Sequence, residues 1–160
     1  MPDHSTAAAV RLDVWLWAAR FFKTRALAKQ AIEAALTGHP VYTTLHSNGV
    51  AETLRRLVNS FPADEVKARM IDIIETIRVV IWQQLVPSLD GKRIALREFL
   101  IFDEKLRDIL LDSKLENISA ITRHLLKEYG QPMSLDAKRK FDAGLISERD
   151  YKRLILRTEL

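Results

Sequence analysis

The chain has 160 residues, 48% hydrophobic and 29% charged, with five glycines, five prolines and no cysteine. That length supports one core of ordinary domain size, the low glycine and proline content excludes a collagenous or low-complexity chain, and the missing thiols exclude a disulfide framework, a thiolate zinc site and a cysteine nucleophile. A net charge of +4 permits contact with nucleic acid or an acidic surface without demanding it.

The N-terminus carries Asp3 and a short Ala7–Val10 run in place of a basic segment and a long apolar one, so no secretory signal is expected. Leu12, Trp15, Leu16 and Ala19 fall at helical spacing, and Val10, Val14, Trp17 and Phe21 form a second stripe, which predicts a helix packed on two sides. Thr24 is placed to cap a second helix over about Arg25 to Leu36, with Ala28, Ala31, Ile32 and Ala35 inward and Arg25 and Lys29 sharing an outer face. Gly38 and Pro40 end it. Val41 to Leu45 are β-branched or aromatic enough for a buried strand, and Ser47-Asn48-Gly49 turns the chain into a helix over Ala51 to Ser60, closed by Phe61-Pro62.

Asp64 then caps a longer helix in which Val66, Met70, Ile73, Ile74, Ile77, Ile81 and Leu85 hold a 3.6 period, apolar on most sides around Val79 to Trp82 and ended by Pro87. Asp72, Glu75 and Arg78 interrupt this stretch, so it is not expected to span a membrane. Asp90-Gly91 introduces a second strand over Lys92 to Phe102. Helices follow over Glu104 to Leu111, Leu115 to Tyr129, Leu135 to Ala143 and, capped by Ser147, Glu148 to Leu156. The expected fold is α/β and mostly helical.

His39 and His46 bracket the expected strand at Val41 to Leu45, and His46, Ser47 and Asn48 would stand beyond its carboxyl end, where α/β sheets bind ligands. Imidazole responds to charge near neutral pH, so this pair fits a switch that senses phosphate. The plainer reading has His39 closing a helix end and His46 filling a turn. A shared metal is disfavoured, because a separation of seven puts the two rings on opposite strand faces with no local carboxylate to complete a site. Nothing matches G-x-x-x-x-G-K-[ST], and no acidic pair follows an apolar run before His39, so hydrolysis of a nucleoside triphosphate by this chain alone is not expected. Arg11, Arg20, Lys23, Arg25 and Lys29, interleaved with Trp15, Trp17, Phe21 and Phe22, would grip a phosphate backbone; the alternative is a solvated face over core aromatics.

Two family resemblances meet inside the second helix. The run from Val10 to Ala28, with Leu12-Asp13-Val14-Trp15-Leu16-Trp17 and Lys23-Thr24-Arg25-Ala26-Leu27-Ala28, resembles the opening of the αL RNA-binding domain of the ribosome-associated heat-shock protein. That resemblance implies contact with structured RNA through Arg11, Arg20, Lys23, Arg25 and Lys29. From about Ala34 to Arg153 the chain is similar to the C-terminal part of the PilT-type secretion and pilus-retraction ATPases, and most like their DotB/TraJ branch of Dot/Icm secretion and conjugal transfer. Thr37-Gly38-His39-Pro40-Val41-Tyr42-Thr43-Thr44-Leu45-His46-Ser47-Asn48 carries it as the His box, supported by Ile77 to Val86, Arg93 to Glu98 and Ala143 to Ser147.

This second resemblance implies a truncated RecA-like ATPase C-terminal half, with few strands and a helical C-terminal domain, over residues 36–160, preceded by the helix pair of residues 1–35. It implies nucleotide sensing by Thr37, Gly38, His39, Thr44, His46 and Asn48, with no catalytic residue in this chain. ATP and magnesium are implied only by the parent family, and none is held by this chain alone. The implied partners are subunits of a homologous hexameric ring ATPase, and the implied place is the cytoplasm, with peripheral contact at the inner membrane face. Both families read as an Ala-rich helix across Ala28 to Ala35, so a rearranged reading frame and a selected two-part protein look alike there.

Overall fold

The structure, a computed structural model, describes residues 25–158, with side chains from residue 30 to residue 156. The first expected helix, with Arg11, Arg20 and Lys23, lies outside these residues, as do the side chains of Arg25 and Lys29. The chain divides into two units, the second beginning at His46. In the first, helix α1 (Arg25–Leu36) buries Ile32 and half-buries Ala31 and Ala35, as its spacing predicts.

The second unit runs α2 (Val50–Val58), α3 (Val66–Thr76), β1 (Val79–Pro87), β2 (Arg93–Ile101), α4 (Glu104–Leu111), a single 3-10 turn at Leu115–Asn117, α5 (Ile118–Tyr129), α6 (Met133–Asp142) and α7 (Glu148–Thr158). The fold is α/β and mostly helical. The expected Ser147 cap forms, its Oγ accepting the Asp150 N–H at 3.1 Å to start α7, whereas Asp64 does not cap α3, which starts at Val66 behind Glu65 with no side-chain cap. Asp103, not singled out in the sequence, accepts the Leu106 N–H at 2.9 Å to start α4.

Two expectations are overturned. The helix from Val66 does not run to Leu85: it stops at Thr76, Ile77 turns extended (φ −65°, ψ 134°), and Val79 to Pro87 form a strand. Ile77, Val79, Val80 and Ile81 put four β-branched side chains in five residues, which lowers helix propensity and suits a pleated surface. Burial then alternates with period two: Val80 and Val86 are buried and Trp82 and Gln84 half-buried, while Val79, Ile81, Gln83 and Leu85 are exposed. The break is stabilised from outside, since Arg107 Nη2 donates to the carbonyls of Ile77 (3.0 Å) and Phe102 (2.7 Å).

The second correction concerns Val41 to Leu45, which is exposed and irregular instead of a buried strand. A strand exists only where a neighbour completes its ladder. Among the described residues the strand ladder is formed by β1 and β2, and Val41 to Leu45 takes no strand in it.

β1 and β2 form an antiparallel hairpin in which Val79 faces Ile101, Trp82 faces Glu98 and Pro87 faces Arg93. Its turn is closed by the Ser88 N–H donating to the Lys92 carbonyl at 2.9 Å. The inner face (Val80, Trp82, Gln84 and Val86 with Ile94, Leu96, Glu98 and Leu100) lies on the core. Val86 and Leu96 cluster with Met133, Ala137, Ile146 and Leu154, flanked by a Phe141–Tyr151 stack at 4.9 Å. Elsewhere in this unit α2 packs on α5 and α3 on α4, burying Leu54, Ile73, Ile74, Leu106, Leu110, Ile118 and Leu125.

Candidate functional site

In the first unit Thr37, Gly38 and His39 close α1. Gly38 takes a left-handed φ of 89°, which a side chain would oppose. The N–H groups of Thr37, Gly38 and His39 then satisfy the carbonyls of Glu33, Ala35 and Ala34 at 3.0 to 3.1 Å. Thr37 Oγ1 donates toward the Ala34 carbonyl at 2.9 Å and lies 3.1 Å from His39 Nδ1. Thr44 stands on the exposed, irregular stretch that follows.

In the second unit His46 is exposed at the head of a turn that continues through half-buried Ser47 and exposed Asn48 to buried Gly49 and Val50. The carbonyls of His46, Ser47 and Gly49 and the Val50 N–H each have a side-chain partner. Arg56 Nη1 donates to the His46 carbonyl at 2.9 Å and is itself steadied through Nε on Glu52 Oε1 at 2.8 Å. Arg56 and then Arg55 hold the Glu52 carboxyl below its usual range. The Trp82 indole N–H donates to the Ser47 carbonyl at 3.0 Å, and Thr53 Oγ1 lies 2.6 Å from Ser47 Oγ and 2.8 Å from the Gly49 carbonyl.

Glu98 completes the arrangement. Its Oε1 accepts the Val50 N–H at 2.8 Å and its Oε2 the Met133 N–H at 3.4 Å, so one carboxylate caps the starts of both α2 and α6. Burial pushes the Glu98 carboxyl above its ordinary value, against the downward pull of the N–H donors at Val50 and Met133. Gly49 is the residue this geometry allows: its φ is 142°, and a Cβ there would meet Glu98 Oε1 at 3.1 Å. Trp82 and Glu98 are cross-strand partners, so a single rung of the hairpin holds both sides of the turn.

Thr37 and His39 are thus joined within one unit, and His46 and Asn48 share a turn within the other. Sequence reasoning missed Glu98, Trp82, Arg56 and Thr53. Trp82 and Glu98 become neighbours only when Val79 to Pro87 is a strand, and a helical assignment hides the pairing. Their signal was present as two ordered stretches, Ile77 to Val86 and Arg93 to Glu98, whose partnership needed the register.

A helix N-terminus takes an anion through free N–H groups, and at α2 the first of them, Val50, is already bound by the Glu98 carboxylate. Among the described residues no three His, Asp or Glu side chains converge as a metal site. Among the described residues no helix is long and apolar enough to cross a membrane.

Residues 24–95 match the family model described as Type II/IV secretion system protein. The ATPase DotB of Legionella pneumophila superposes with a TM-score of 0.81 at 56% identity, over 84% of this chain and 36% of that one. The twitching motility protein of Neisseria gonorrhoeae is 32% identical over 124 residues, 77% of this chain and 33% of the relative. Heat shock protein 15 of Escherichia coli is 74% identical over 27 residues, 17% of this chain and 20% of that protein. The chain therefore spans about a third of the length of its ATPase relatives. From about Ala34 to Arg153 it is similar to the C-terminal part of the PilT-type secretion and retraction ATPases, and ahead of that to the start of heat shock protein 15.

Proposed function

We propose that this chain acts as the C-terminal portion of a hexameric traffic ATPase of type IV secretion or conjugal transfer, entering a ring of homologous subunits without hydrolysing ATP itself. The observation that carries the reading is the fastened turn from His46 to Val50, built on a body that superposes on DotB at 56% identity. In this reading Thr37, Gly38, His39, Thr44, His46 and Asn48 respond to nucleotide held by a neighbouring subunit, since the N–H at the start of α2 is taken by Glu98. The ring works in the cytoplasm, against the inner membrane face where a secretion machine is docked.

The test is to add the purified chain to an intact DotB-type ATPase and follow co-elution and turnover. The expected result is co-elution with a fall in turnover, the fall weakened by His46→Ala while co-elution persists. Neither co-elution nor any change in turnover would overturn the reading, as would ATP hydrolysis by this chain alone.

A second reading rests on a separate observation, the 74% identity with heat shock protein 15. Here Arg11, Arg20, Lys23, Arg25 and Lys29 bind structured RNA through phosphate contacts, with an affinity that falls steeply with salt. Arg25→Glu with Lys29→Glu should abolish RNA retention and leave ring association untouched. Retention unchanged in that double variant would remove this reading alone.

A further inference from the structure

The hairpin has two edges, and they are treated differently. The Phe102 N–H donates to the Arg78 carbonyl and the Ser88 N–H to the Lys92 carbonyl, in phase with the even-numbered rungs, so the odd-numbered residues turn their N–H and carbonyl groups outward. On β2 those outward groups are satisfied. Phe99 bonds Gln131 in both directions at 2.9 and 3.0 Å, the Arg97 N–H donates to Asp136 Oδ2 at 2.8 Å, Gln131 Nε2 donates to the Arg97 carbonyl at 3.0 Å, and Lys140 Nζ reaches the Ala95 carbonyl. On β1 the outward groups of Val79, Ile81, Gln83 and Leu85 meet no partner among the described residues.

The open edge is also apolar. Val79, Ile81 and Leu85 are 45%, 60% and 52% exposed, and Ile101, beside Val79, is 61% exposed. All nine residues of β1, Val-Val-Ile-Trp-Gln-Gln-Leu-Val-Pro, are uncharged. Monomeric proteins blunt such edges with lysine, inward charge, bulges or a covering element. β1 carries none of the first three, its Pro87 stands only at its end, and α2, which packs on β1, leaves the outer-face side chains of Val79, Ile81 and Leu85 exposed.

We propose that β1 is an interface for a second copy of this chain, pairing antiparallel across a two-fold axis at Gln83. The strand is complementary to itself about that residue. Ile81 falls opposite Leu85 of the second copy, Val79 opposite its Pro87, and Gln83 opposite its own counterpart, with no like charges brought together. Pro87, lacking an N–H, ends the ladder on both sides. Because the β2 edge is already closed, pairing uses the one open edge of each copy and stops at a dimer instead of growing into a filament. The two apolar outer faces then join on one side of a four-stranded sheet. This dimer is a different association from the ring proposed above, and its test does not depend on that ring.

The chain has no cysteine, so one introduced thiol reports its own neighbour. Opposed residues in a hydrogen-bonded antiparallel pair sit about 5.5 Å apart at Cα, within the span of a disulfide. Gln83→Cys should therefore oxidise to a cross-linked dimer, while Ile81→Cys, facing a leucine, should stay monomeric on a non-reducing gel. Light scattering should show a dimer for the native chain and a monomer for Ile81→Lys with Leu85→Lys, whose exposed positions leave the circular dichroism unchanged. A native chain monomeric at every concentration overturns the proposal, as do species larger than a dimer or equal cross-linking by both cysteine variants. Mass gained only on adding an intact ATPase overturns it too, by giving the edge a different occupant.

Discussion

Val41 to Leu45 and Val79 to Pro87 are both short, uncharged and rich in β-branched residues, yet only the second is a strand. The difference is their surroundings. Val79 to Pro87 returns through the five residues Ser88 to Lys92 onto Arg93 to Ile101, and every second side chain of the pair faces a core that includes Met133, Ala137 and Ile146. Val41 to Leu45 has the composition without a described ladder partner, and its residues remain exposed. Composition makes a strand permissible, and a neighbour with a buried face makes it a strand.

The largest effect should come from the inner face. Leu96 and Leu100 are fully buried on β2, so truncating Leu96 to alanine should cost about 2–5 kcal/mol in urea unfolding, through lost burial and the cavity left behind. Ile81→Ala, on the exposed outer face of the paired strand, should cost no more than about 1 kcal/mol, the scale of one cross-strand contact. Comparable losses at both positions would mean that the outer face is covered, and the contrast between the faces would fail.

Next comes Glu98, which joins the hairpin to the His46 turn. Glu98→Ala leaves the Val50 and Met133 N–H groups without their acceptor, about 1–3 kcal/mol for each one left unsatisfied. The pH dependence has a definite sign. Burial raises the folded pKa above the ordinary 4.5, so the folded state holds this proton more tightly than the unfolded chain does. The resulting stabilisation is full below 4.5 and is lost as pH rises from there through the raised value. Glu98→Gln should remove that component, seen as a native-minus-variant difference in unfolding free energy that falls across this window. A difference that rises with pH would mean that the N–H donors outweigh burial.

These residues also mark how much was legible beforehand. α1 and its Gly38 stop, β2 after Asp90-Gly91, α4 from Glu104 and α7 behind Ser147 are each set by local chemistry, and each was readable within a few residues. The error at Ile77 to Leu85 has a specific cause. Ile73, Ile77, Ile81 and Leu85 recur every four residues, and that spacing satisfies a helix while also placing Ile77, Ile81 and Leu85 on one strand face. Only the partner at Arg93 to Ile101 decides between the two. The same ambiguity hid the site's supports, because Trp82 and Glu98 are 16 positions apart in sequence and adjacent only in register. His46 was visible as a residue type, whereas the geometry that holds its turn was a tertiary product.

The smallest expected effect tests the other half of the comparison. If Val41 to Leu45 lacks a ladder, then Val41→Ala and Thr43→Ala, both exposed, remove neither buried area nor a cross-strand contact, and each should change stability by less than about 0.5 kcal/mol. In a paired strand the same changes would cost roughly 1 kcal/mol, since β propensity reflects the neighbours a side chain packs against. Amide exchange separates the cases further: the N–H groups of Val41 to Leu45 should exchange far faster than those of Val80, Trp82 and Gln84, which face β2. Slow exchange at Val41 to Leu45 that disappears on dilution would show those residues acquiring a ladder partner by association. Slow exchange that persists on dilution would place that partner within the same chain.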